Sequence, residues 1–111
     1  MDRPDRTDAI FSALADPTRR ALLRAVSERE SVTATELAAE LPISRQAVAK
    51  HLGVLDEAGL VTPTKVGREA RYQARPEQLA AAATWIDETR SAWDVRLRRL
   101  DERLRAKRSN R

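Results

Sequence analysis

The apolar positions of this chain fall into short helical patterns separated by residues that favour helix ends. Ile10, Phe11 and Leu14 lie at i, i+1 and i+4, one face of a helix over residues 8–14. Asp16-Pro17 then starts a second helix. The Asp16 carboxylate can accept from otherwise unpaired first-turn amides, and Pro17 suits the first helical position, where no N–H is needed. Leu22, Leu23 and Val26 supply that helix's buried stripe. Thr33 and Glu36 form a capping box that opens a short third helix carrying Leu37, Ala38 and Leu41. Pro42 biases Leu41 away from helical angles and Ser44 can cap a new helix at once, so a tight turn joins the third and fourth helices. In the fourth helix Val48, Leu52 and Leu55 face the core, which turns Arg45, Gln46, Lys50 and His51 largely elsewhere. Gly59 suits the left-handed residue that follows a helix end.

Beyond Gly59 the period changes. Residues 60–66 and 70–74 read as two short strands around Gly67-Arg68-Glu69, with Pro63 confining its strand to an edge or a strand end. Pro76 can start a last helix that runs without proline or glycine toward Lys107, about 45 to 50 Å of it. Leu79, Ile86, Trp93 and Leu100 recur at heptad spacing, and Ala83, Leu97 and Leu104 occupy the companion line, which Arg90 interrupts. The first half of this stripe can pack on its own domain, whereas the second half outruns any internal core and predicts a partner helix. The basic segment 105–111 is expected to fray. With no repeat and no Gly/Ser linker, residues 1–111 read as a single domain: a core over 8–75 and a long C-terminal dimerisation helix over 76–108.

Composition narrows the chemistry. A hydrophobic share of 41% with only 4% aromatics and three glycines calls for a core of Ala, Leu and Val, a mainly α fold with a small β-hairpin. The lack of cysteine excludes disulfides, thiolate nucleophiles and cysteine-based metal sites, and a single histidine argues against a histidine-rich one. Neither a run approaching the ~20 apolar residues of a membrane span nor a signal-peptide core is visible, so the expected location is cytoplasmic. No nucleophile arrangement or phosphate-cradling glycine loop suggests an enzyme, and no cofactor is implied. A net charge of +4 with a pI near 10.3 makes a polyanion a natural partner.

The order helix, helix, turn, helix, basic hairpin is that of a winged helix-turn-helix. In such folds the N-terminal residues of the second helix of the motif reach base edges in the major groove. Here these are Ser44, Arg45, Gln46, Lys50 and His51. Arg45 can bond guanine bidentately, Gln46 can bond adenine, and Ser44 can donate its hydroxyl or help hold a phosphate. Lys50 and His51 come a turn later, where phosphate or peripheral contact is expected. His51 could equally hydrogen-bond within the protein and position the helix. The hairpin's Lys65, Arg68 and Arg71 surround a single acid, Glu69, and are expected to contact phosphate. On an isolated helix or hairpin the same residues would merely solvate a surface.

The runs Leu14-Ala15-Asp16-Pro17-Thr18-Arg19-Arg20, Ser44-Arg45-Gln46-Ala47-Val48-Ala49-Lys50-His51-Leu52, Glu57-Ala58-Gly59-Leu60-Val61 and Gly67-Arg68 before Tyr72 together resemble the ArsR-type bacterial winged-helix repressors. The resemblance covers residues 8–75. It implies a homodimer that binds double-stranded DNA at an inverted repeat and represses transcription. The dimer interface would then come from the first and last helices, through Ile10, Phe11, Leu79, Ala83, Ile86, Trp93, Leu97 and Leu100. The last helix also resembles the metal-independent branch of small autorepressors. Metal-sensing members carry a cysteine pair before the turn or acid and histidine ligands on the last helix, whereas Thr35–Glu40 has no thiol and Asp87, Glu88 and Asp94 have no imidazole beside them. Metal sensing is therefore not expected. Two other readings stay open: an adaptor that uses the last helix to bind a different chain, and a DNA-binding architectural protein without base preference. The inducer and the operator sequence are not legible.

Overall fold

A computed structural model of the chain describes residues 6–109. The elements in chain order are α1 (Arg6–Leu14), α2 (Pro17–Ser27), β1 (Val32–Thr33), α3 (Ala34–Glu40), α4 (Arg45–Glu57), β2 (Val61–Val66), β3 (Glu69–Ala74) and α5 (Leu79–Ser109), with a 3-10 turn at Pro76–Gln78 before α5.

The helix boundaries follow from local chemistry. Asp16 Oδ1 accepts from the Thr18 amide at 2.9 Å with Pro17 as the first residue of α2. At α3, Thr33 Oγ1 accepts from the Glu36 amide at 3.1 Å while the Thr33 amide donates to Glu36 Oε1 at 3.2 Å, the two halves of the expected capping box. Ser44 Oγ accepts from the Ala47 amide at 3.1 Å and opens α4. At the other end of α4, Gly59 has φ +79°, its amide donates to Asp56 O at 2.9 Å, and the Leu60 amide donates to Leu55 O at 2.9 Å. That pair of bonds is a Schellman motif, which needs the left-handed residue that glycine supplies without a Cβ penalty.

The core lies where α1, α2, α3 and α4 converge on the base of the sheet. Ile10, Leu22, Leu37, Leu52, Leu55 and Leu60 have no exposed surface. For Ile10 this overturns the expected placement: a side chain wholly enclosed by its own chain has no area to offer a partner, so Ile10 is a core residue and not a dimer-interface one.

Two features of the sheet differ from the sequence expectation. It has three antiparallel strands in the order β1-β3-β2, since Val32 and Thr33 pair with Tyr72 and Arg71. Two residues are too few to show an alternation, and these two are strand only because β3 lies beside them. The hairpin loop is shorter than expected: Val66 pairs with Glu69, leaving Gly67-Arg68 as a two-residue turn. Gly67 has φ +63° and Arg68 does not have positive φ, the glycine-first pattern of a type II′ turn. Pro63 sits in β2, an edge strand, as a proline requires.

Helix α5 has 31 residues, about 46 Å at 1.5 Å per residue. Its first turns pack on the body: Ala82 is buried, and Trp85 meets Phe11 edge to face with ring centroids 5.4 Å apart. From Arg90 onward every described residue is exposed, so the helix projects and the molecule is 76 Å long. The basic segment expected to fray is helical as far as Ser109, and Asn110 and Arg111 lie outside the described residues.

Candidate nucleic-acid interface

The turn between α3 and α4 is built from Leu41, Pro42 and Ile43. Leu41 is extended (φ −115°, ψ 147°), the conformation that a following proline imposes, and the Ile43 amide donates back to Leu41 O at 2.8 Å. Burial of Val48, Leu52 and Leu55 then fixes the rotation of α4 about its axis. Arg45, Gln46 and Lys50 emerge on the open side, with Ala49 and Gly53 between them. These two small residues were not anticipated as part of this face. They leave the middle of the helix low enough for a surface to approach closely, and among the described residues no side chain or neighbouring element comes within 4 Å of where a Gly53 Cβ would stand. Ser44 is exposed, and its oxygen already serves as the N-cap acceptor while its hydroxyl proton stays available to donate.

The hairpin stands beside this face. Arg45 and Ala49 of α4, Thr35 at the start of α3, and Arg68 near the hairpin turn line one hollow. Thus Arg45 and Arg68, 23 residues apart in sequence, converge on the same space. Lys65 and Arg68 lie on exposed strand and turn positions. Thr35 carried no signal of its own in the sequence, because only the packing of α3 against α4 brings its position to the hollow.

Two expected contact residues are engaged inside the protein. Arg71 Nε donates to Ser31 Oγ at 2.9 Å and Nη2 to Ser31 O at 3.4 Å, and its other contacts are Glu36 Oε1 at 3.3 Å and Glu69 Oε2 at 3.5 Å. It is not the free phosphate ligand expected from its place in a basic cluster, because Ser31 and Glu36 reach it from a segment remote in sequence. Hydrogen bonding with Thr33, and then the positive charge of Arg71, holds the Glu36 carboxyl below the usual carboxylate range.

His51 is turned toward the junction of α1 and α2. Its Nδ1 is buried without a hydrogen-bond partner among the described residues, 3.6 Å from Asp16 Oδ2, and the side chain keeps 21% of its surface. Asp16 Oδ2 also pairs with Arg19 at 3.3 Å, and Arg19 Nε donates to Ala13 O at the end of α1 at 2.7 Å. His51 thus faces the N-cap of α2 without the internal hydrogen bond that the positioning alternative expected.

On α5 the exposed apolar residues form a stripe. Ile86, Trp93, Leu97, Leu100 and Leu104 are each about half exposed, between 49% and 58%. Leu79 is half-buried and Ala83 exposed, while Phe11 packs on Trp85 at the stripe's inner end. Trp85 lies off the two heptad lines, so the heptad spacing alone does not mark it. Among the described residues no cluster of three or more His, Cys, Asp or Glu could hold a metal, and no helix is long and apolar enough to cross a membrane.

Comparison with known proteins agrees with this geometry. The model of a helix-turn-helix domain family matches residues 14–64. The chain is 51% identical over 67 residues to the uncharacterized HTH-type transcriptional regulator YuzN of Bacillus subtilis (strain 168), covering 55% of this chain and 73% of that protein. It is 34% identical over 84 residues to the arsenical resistance operon repressor of Escherichia coli (strain K12), covering 76% of this chain and 69% of that one. Among solved structures, an ArsR-like transcriptional regulator from Rhodococcus sp. RHA1 superposes with a TM-score of 0.77 at 39% identity, covering 87% of this chain and 91% of that chain. The relatives are transcriptional regulators and not enzymes, and with the turn, the outward face of α4 and the hairpin they make this chain a DNA-binding member of the ArsR-type winged helix-turn-helix transcriptional regulators.

Proposed function

We propose that the chain is a homodimeric, sequence-specific repressor of an inverted-repeat operator. The observation that carries this reading is the convergence of Arg45 on α4 and Arg68 on the hairpin upon one hollow beside the outward face of α4. A major groove accepts a helix of this kind, and its flanking phosphates would then lie within reach of the hairpin. Arg45 and Gln46 read bases, while Ser44, Lys50, Lys65 and Arg68 hold phosphates and set register. Dimerisation uses the α5 stripe with Phe11 and Trp85, because half-exposed Trp, Ile and Leu at heptad spacing on a projecting helix gain most from a second such helix. Two-fold symmetry then presents two α4 helices to major grooves about 34 Å apart and requires a near-palindromic site. Repression follows by occlusion of a promoter. It is supported by the name of the E. coli relative, an operon repressor.

Selection of bound duplexes from a random pool, with sedimentation of the free chain, tests the proposal. The expected result is one palindromic sequence with half-sites a helical turn apart, bound by a dimer. Equal affinity for all duplexes, or a chain that stays monomeric on DNA, would refute it.

A further inference from the structure

The sheet has a joint at Arg71. Strand β1 contributes only Val32 and Thr33, which pair with Tyr72 and Arg71, and β2 meets Arg71 through Thr64. Toward the turn from that rung, no third strand among the described residues supports the hairpin, and residues 63–70 are all exposed. A two-stranded ribbon is only marginally stable in water, so its direction depends on what grips its base. The guanidinium of Arg71 spans the joint: Ser31 and Glu36 belong to the body and Glu69 to the ribbon. Two carboxylates more than offset its charge, and among the described residues neither Lys65 nor Arg68 is held by an ion pair.

Resting on the reading of this hairpin as a DNA-contacting wing, we propose that Arg71, gripped by Glu36 and Ser31, is a positioning residue that sets the wing's direction and does not itself bind phosphate. A rigid planar fork of five donors can serve Ser31 and two carboxylates at once, and a lysine's point charge cannot.

Glu36→Gln separates the two roles. Glutamine at this position keeps the capping box with Thr33 and removes the charge that holds Arg71. In the free protein, hydrogen exchange of the amides of residues 65–70 should speed up while the core amides stay unchanged. Affinity for the selected duplex should fall about two- to fivefold, the scale of one exposed ion pair. Arg71→Ala combined with Arg68→Ala should cost no more than the larger single change, because both act through the same wing contact. If Arg71 were a phosphate ligand, Glu36→Gln would leave affinity unchanged or raise it. Arg71→Ala would then add to Arg68→Ala and lower the salt slope by about one. Either result, or unchanged exchange at residues 65–70, overturns the proposal. A chain that selects no duplex refutes the DNA reading instead, and the exchange measurement still decides the role of Arg71.

Discussion

Replacing Leu97 with alanine isolates the α5 stripe from the fold. Leu97 is 57% exposed in the single chain, and alanine is the best helix former, so α5 and the core should be unaffected. Full burial of a leucine is worth about 1.5 to 3 kcal/mol, and the exposed share leaves about 0.9 to 1.7 kcal/mol for a partner to gain. A symmetric dimer loses this twice, about 2 to 3 kcal/mol in all, which weakens its Kd by about 30- to 200-fold. Val95, two residues earlier and on the opposite side of the helix, is 38% exposed and serves as the control. Sedimentation equilibrium over a concentration series reads both variants. Leu97→Ala should shift the monomer–dimer transition by that factor at unchanged helicity, and Val95→Ala should leave it in place. Equal effects at the two positions, or none at Leu97, would show that the stripe does not make the dimer.

Arg45→Ala should cost about 1 to 3 kcal/mol on the selected operator and relax preference at one base pair, whereas Lys65→Ala should weaken all duplexes alike and lower the salt slope by about one. Titration of matched and single-mismatch duplexes at several salt concentrations tells the two apart. Asp16→Asn keeps an N-cap acceptor while removing the charge beside Arg19 and His51, and Asp16→Ala removes both, so urea unfolding should find the alanine variant about 1 kcal/mol less stable than the asparagine one. Equal midpoints would mean that the cap contributes nothing. Because the folded Glu36 carboxyl is held below its unfolded value, its stabilisation is complete above the ordinary glutamate pKa of about 4.3 and is lost as pH falls toward the lower folded value. Urea midpoints for Glu36→Gln should accordingly be less steep in pH on that acid side than wild type, and parallel curves would contradict the assignment.

Capping and periodicity act within a few residues, which is why the sequence by itself determined the helix starts at Asp16, Thr33 and Ser44, the turn at Pro42, the Gly59 stop and the buried face of α4. The outward placement of Arg45, Gln46 and Lys50 follows from the same local rules, once Val48, Leu52 and Leu55 are given the core. Tertiary structure alone decided what depends on neighbours distant in the chain. Val32 and Thr33 become a strand because β3 offers them backbone partners. Arg71 is captured by Ser31 and Glu36, His51 comes within 3.6 Å of Asp16 Oδ2, and Ile10 is enclosed by its own chain although the family resemblance implied an interface. A side chain's local pattern states which way it can point, and only the packed chain supplies the carboxylate, carbonyl or apolar wall that it meets there.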